Sequence, residues 1–296
     1  MLKKELFSIC TFYAISPIHA GSGAATATVD LPIQRERHTN WPHIQASGVK
    51  GALRDHYRAF AGEKHKDTIN FIFGSDKGND QNQAGSDEDH PGAISISDAK
   101  LLAFPMRSNI APFVWVTCPS VLKRLKNDLD FAKFPSFPDV PPVSKETAFS
   151  LSGNFSGQIV LEDAVVTVPS VNTQFKLPEG FPTLERLLFI SDEMFDYCVS
   201  SCTEIQTQIK IDSKTGTAAD GALRYQELLP ADTLMYSIIY YSQSSGLNEI
   251  QANTIQSHIE DVIKDFIQIG GDETLGRGIC KISWIKSTSN SKGGAK

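Results

Sequence analysis

His19 in IHAGSG, Asp30 in VDLP and Arg35 in IQRER bring an imidazole, a carboxylate and a guanidinium into one short N-terminal stretch. An imidazole titrates near neutral pH and suits general acid or base work. An aspartate in a loop is ordinarily a turn or capping residue, but it can also move a proton or act as a hard ligand for magnesium or manganese. Magnesium often takes one or two carboxylates together with substrate phosphate, so one carboxylate is enough only when the substrate supplies the rest. RNA supplies phosphate and brings its own nucleophile, the 2′-hydroxyl. A strand-cleaving site then needs a base, an acid and charge neutralisation, and these three residues suffice in kind.

Other residues have the chemistry to hold a polyanion. Lys50 and Arg54 stand four apart and share a face if their segment is helical. The small residues of SGVKG, Ser47 and Gly48 among them, would let backbone approach a ligand closely at the start of that helix, where free N–H groups favour phosphate. GGDETLGRG places Gly270, Gly271 and Arg277 in a second glycine-rich loop, either a helix stop with a turn or a backbone approach to sugar-phosphate. It matches neither the dinucleotide nor the P-loop pattern. In LRYQELLPAD, Glu227 lies just ahead of an expected strand, as a strand cap or as a second carboxylate beside Asp30.

Composition bounds these readings. The 296 residues are 41% hydrophobic and 21% charged, ordinary for a globular chain, with formal net charge -6. The charge is uneven: residues 1–60 hold seven basic side chains against four acidic, whereas 61–100 hold four against eight. The five cysteines are scattered without a CxxC pair, as expected of free thiols rather than disulfides or zinc. No signal peptide or membrane span is expected, so a cytoplasmic location is.

These residues must be positioned by an α+β scaffold. Leu6–Ile15 reads as a strand. Ser47–Phe60 reads as a helix with Val49, Leu53, Tyr57 and Phe60 on one face, stopped near Gly62. Ala93–Phe104, Phe113–Thr117, Gln158–Val168 and Leu234–Tyr241 read as strands, and Ser120–Leu129 as a short helix. The stripe Ile255, Ile259, Val262, Ile263, Phe266 and Ile267 predicts one long last helix, with Asn248 and Gln251 as a capping box. A final strand, ICKISWI, follows the glycine-rich loop. Two main helices in the order strand, helix, strands, helix, strand fit a ferredoxin-like, RRM-like sheet with long insertions. One domain is expected over 1–286, with an acidic loop at about 61–92, an insertion at about 144–229 and a polar tail at 287–296.

Five segments occur in an order that carries a resemblance: HAGSG, VDLPIQRERHTNWPHIQASGVKGALRD, AFPMRSNIAPFVWVTCPSVLKR, LRYQELLPADTLMY and GGDETLGRG. Together they resemble the fourth-subunit family of type III-B (Cmr) CRISPR effector complexes, which are Cas-seven-type RAMP proteins. The resemblance implies a ferredoxin-like palm with a protruding thumb β-hairpin. It implies copies stacked in a helical filament along a CRISPR guide RNA, with other Cmr subunits as partners. The thumb would displace a nucleotide at regular intervals, and complementary target RNA would be cut there with a divalent metal, magnesium or manganese. The family's active-site aspartate falls on Asp30, and its other site positions on His19, Arg35 and Glu227. A guide-binding subunit that does not cut, or a metal-independent processor of precursor CRISPR RNA, are the alternatives. Two departures stand out: Asn40 replaces the family's glycine in HTNWP, and ASGVKG replaces Gly-Ser-Ser-aliphatic-Lys-Gly. Asparagine is the next most tolerant residue of left-handed backbone.

Overall fold

The computed structural model describes residues 6–25, 28–62, 68–75, 91–135, 137, 139–140, 142–170, 177–243 and 250–286. In chain order the elements begin β1 (Leu6–Ala14), β2 (His43–Ile44), α1 (Ala46–Phe60), α2 (Thr68–Phe73) and β3 (Ile94–Ile96). Next come β4 (Ala99–Met106), β5 (Val114–Thr117), α3 (Pro119–Phe131), β6 (Phe149–Ser150), β7 (Gly157–Leu161) and β8 (Ala164–Val168). The chain continues with β9 (Leu187–Phe189), α4 (Asp192–Ser201), β10 (Glu204–Gln208), β11 (Arg224–Leu228) and β12 (Leu234–Tyr241). It closes with α5 (Ala252–Val262), β13 (Phe266–Gln268) and β14 (Ile279–Lys286).

The main sheet runs β13-β14-β1-β12-β4-β5-β9-β6. Within it, β14-β1-β12-β4 are mutually antiparallel, and with α1 and α5 they make the expected βαββαβ ferredoxin-like unit. Residues alternate across β1, so Ser8, Cys10, Phe12 and Ala14 face one way. That face takes the two helices: Ser8 donates to Glu260 of α5 at 2.6 Å, and α1 buries Val49, Leu53 and Tyr57. On the other face Phe7 meets Phe131 of α3 edge-on at 6.1 Å, and the Tyr236 hydroxyl donates to Asp128 of α3 at 2.8 Å. Pro119 at the first turn and Val121, Leu122, Leu125 and Leu129 on one side explain why α3 forms there.

Several expectations need correction. The last helix stops at Val262, because Phe266–Gln268 leaves to pair antiparallel with Ile279–Lys281. Burial there alternates, Ile267 and Ile269 inside, and this mimicked the tail of a helical stripe. Gln251 caps that helix without a side-chain bond, and Asn248 lies outside the described residues. Phe60 is not core but 60% exposed. Gln158–Val168 is a hairpin, β7 and β8, turning at Glu162 with φ 55°. Ala93–Phe104 is split into β3 and β4. Short helices α2 and α4 join the expected ones, α4 being capped by Ser191, whose hydroxyl accepts from Met194 N–H at 3.2 Å. Most of the acidic loop and all of the 287–296 tail lie outside the described residues.

Candidate active site

The organising element is β11. One edge pairs with β10; the other takes two passes of the N-terminal segment. Ile18 and Leu229 exchange backbone bonds at 2.8 Å each way, Leu31 N–H donates to Tyr225 at 3.1 Å, and Glu227 N–H donates to Leu31 at 3.0 Å. Gln34 N–H then joins Ala20 at 2.8 Å, so the His19 and Asp30 segments are laced to each other as well. Leu223–Asp232 was expected to precede a strand; instead Arg224–Leu228 is itself the strand that gathers the site.

Three of the four expected residues touch it directly. Asp30 accepts the Tyr225 N–H on Oδ2 at 2.8 Å. His19 Nδ1 donates to the Glu227 carbonyl at 2.9 Å, which leaves Nε2 as the lone-pair nitrogen of the neutral ring. Glu227 is 6% exposed, and its carboxylate turns into the protein. It accepts from Arg35 Nη2 at 2.6 Å, Thr203 Oγ1 at 2.8 Å and Ile33 N–H at 3.0 Å. Arg35 also donates to Asn40 and Val199 carbonyls at 2.8 and 3.0 Å. Glu227 is thus bound to Arg35 as an internal clasp, while Asp30 meets the same strand two residues upstream.

The glycine-rich loop packs on the histidine. Gly271 N–H donates to the His19 carbonyl at 2.9 Å. Gly270 has φ +92°, and a Cβ there would fall 2.5 Å from that same oxygen. A Cβ on Gly21 would fall 2.8 Å from His19 Nε2, so glycine lets the ring lie close over the backbone. Asp272 accepts from Gln226 at 2.6 Å, and Arg277 donates to Gln206. Gln206 and Gln226 are register partners, so this face of the β10–β11 hairpin is polar and tied to the loop. The opposite face carries Glu227, buried at its root, and is apolar and open further out: Ile205 and Tyr225 are 49% and 40% exposed, and the flanking Ile209, Ile211 and Leu223 exceed half.

Ser47, Gly48, Lys50 and Arg54 sit on α1, apart from this cluster. Gln34 links the two, bonding Gln45 N–H through its side chain at 2.8 Å. Asp98 already takes the Ala46 N–H at 2.7 Å, while Ser47 and Gly48 are exposed in the first turn. Burial, and secondarily the charge of Arg54, holds Lys50 below the ordinary lysine range. Arg54 donates to Asn70 at 3.1 Å. Among the described residues no three His, Cys, Asp or Glu side chains converge on a metal-sized site. Asp30 therefore fits a divalent ion only as one hard oxygen ligand completed by RNA phosphate and water. Gln226 and Asp272, which lie in LRYQELLPAD and GGDETLGRG without having been singled out there, belong to the site, as does Thr203, which no motif marked.

The RAMP superfamily model matches residues 11–281. A protein named CRISPR system Cmr endoribonuclease Cmr4, from Pyrococcus furiosus, is 33% identical over 94% of this chain and 95% of its own length. The crystal structure of oligomeric Cmr4 from Pyrococcus furiosus superposes with TM-score 0.67 at 27% identity, covering 96% of this chain and 99% of that one. A cryo-EM chain of the type III-B Cmr-beta complex bound to cognate target RNA shares the fold at TM-score 0.75 and 20% identity, over 95% and 98% of the two chains.

Proposed function

This chain belongs to the RAMP superfamily and, within it, to the Cmr4 family; from that premise we propose that it is the repeated backbone subunit of a type III-B CRISPR effector, binding guide RNA and cutting complementary target RNA. It would act in a prokaryotic cytoplasm. Among the described residues no helix is long and apolar enough to cross a membrane. The observation that carries the reading is the lacing of Asp30 and His19 onto the strand that forms one arm of the β10–β11 hairpin. That hairpin, 204–228, is the thumb. The exposed apolar side chains beyond Glu227, Ile205 and Tyr225 among them, can lie against unstacked bases, and the opposite face is anchored to the glycine-rich loop. A base pushed aside by the hairpin leaves its neighbouring phosphate close to the residues at the hairpin's root.

The chemistry follows from the residues. The target 2′-oxygen bonds to the adjacent phosphorus, and the bond from phosphorus to the 5′-oxygen breaks. The 2′-hydroxyl proton passes to His19 Nε2, whose ring is held by the Nδ1 bond, and the departing 5′-oxygen takes a proton from water. The products are a 2′,3′-cyclic phosphate and a 5′-hydroxyl. Asp30 orients the nucleophile and would hold a divalent ion; bound there with RNA phosphate, the ion supplies charge neutralisation. Arg35 and Glu227 keep the Asp30 segment in register. Chemical analysis of the cut ends tests this: cyclic phosphate termini support it, and 3′-hydroxyl termini refute it.

A further inference from the structure

The turn from Glu36 to Trp41 is braced more firmly than a surface loop needs. Glu36 N–H donates to Trp41 at 2.9 Å and Asn40 N–H to Glu36 at 2.8 Å, with Asn40 at φ 60° in the left-handed region its family glycine would occupy. Arg124 of α3 grips the Glu36 carboxylate at 2.6 and 3.0 Å, and Thr39 adds a bond at 2.6 Å. The Arg124 guanidinium lies 5.1 Å over the Trp41 ring. Trp41 in turn donates to Asp196 and meets Phe195 of α4 edge-on at 5.2 Å. Arg35, at the base of the turn, is held by Glu227.

Half-buried ion pairs add little net stability, because desolvation offsets most of the Coulomb gain. Such pairs do fix geometry. What they fix here is a tip that presents Arg37 and His38 to solvent, the His38 side chain being 74% exposed. Arg37 belongs to the same basic stretch of sequence as Arg35, Lys50 and Arg54. Arg35 is taken by Glu227, Arg54 bonds Asn70 and Lys50 is half-buried, whereas Arg37 is exposed. The extended run from Asp30 through Arg35 leads straight to the tip, bridging Gly21 at Ile33 and Pro42 at Arg35.

We propose that Arg37, carried on this braced turn, is a backbone-phosphate contact for RNA lying across the site. The inference rests on the RNA-binding reading above. A guanidinium whose backbone is already fixed loses less freedom on binding and matches phosphate oxygens in pairs. The contact is blind to sequence, so it adds affinity uniformly.

The test uses the reconstituted complex with the full chain. Guide loading and target binding are each measured across a salt series for wild type, Arg37→Ala, Arg37→Lys and the double variant Lys50→Ala/Arg54→Ala. For each copy contacting RNA, Arg37→Ala should reduce the slope of log affinity against log salt by about 0.7–0.9 in one of the two steps. The loss should be equal for unrelated sequences, and Arg37→Lys should restore the slope. If only the Lys50/Arg54 variant lowers the slope, the turn proposal is refuted and the RNA-binding reading stands. If neither variant lowers it, the reading of this surface as an RNA platform falls as well.

Discussion

Replacing Glu227 with glutamine removes one charge and almost no volume from the clasp that holds the Asp30 segment. The carboxylate accepts three bonds, from Arg35, Thr203 and Ile33, and the two ionic side chains are only 15% and 8% exposed. Stripping one partner from a buried pair typically costs about 3–5 kcal/mol, because the remaining charge stays desolvated. Arg35 keeps the Asn40 and Val199 carbonyls, so the lower end applies, about 3 kcal/mol. For a chain of this length that lowers Tm by about 6 °C at roughly 2 °C per kcal/mol. Scanning calorimetry reads it. Adding Arg35→Met to the glutamine variant should cost less than Arg35→Met costs in wild type, since the pair is already broken and only the bonds to the Asn40 and Val199 carbonyls remain to be lost. Target cleavage should fall together with stability. An unchanged Tm with cleavage lost would refute the positioning role and put Glu227 in the chemistry.

Two further perturbations probe the same frame. Burial pushes the Glu36 carboxyl up, but the bonds from Thr39 and Arg124 and the charge of Arg124 outweigh it and leave the group below its ordinary value of 4.5. A depressed folded pKa stabilises fully above the unfolded value, so wild type should lose this contribution as pH falls below about 4.5. A Glu36→Gln variant should be less stable at pH 7 and lose less between pH 4.5 and 3; parallel curves in urea titrations would count against the brace. Gly270→Ala puts a β-carbon on a left-handed residue and 2.5 Å from the His19 carbonyl. The expected cost is about 3 kcal/mol with weakened cleavage, and a Tm within 1 °C of wild type would show that the loop is not packed as described.

Much of this was legible from residue types. Val49, Leu53 and Tyr57 at helical spacing place α1, and the order of strands and helices around it fixes the ferredoxin-like sheet. Asn40 replacing a glycine predicts a left-handed residue and is one. The parts that were not legible depend on tertiary contacts. Phe266–Gln268 continues an apolar stripe whether it is helix or strand, and only pairing with β14 decides. Helix α4 carried a signal, Ser191 followed by two acidic residues ahead of Phe195, Cys198 and Val199, but it is only ten residues long and sits within the expected insertion. Glu227 reads as a free carboxylate in sequence because Arg35, its partner, lies 192 residues away. Arg124 and Asp196, which brace the Arg37 turn, come from helices whose contact with it no local pattern encodes.

The most direct test concerns Asp30. Asp30→Asn keeps a side-chain oxygen for the Tyr225 N–H and removes only the charge, so assembly should survive. The assay is guide-loaded complex with labelled complementary target, followed for binding and cleavage with magnesium, with manganese and with chelator. The account predicts full target binding, loss of regularly spaced cuts in the variant, and loss of the same cuts from wild type under chelation. Cuts that persist in Asp30→Asn at the wild-type rate would contradict it and leave this chain as a scaffold for guide RNA.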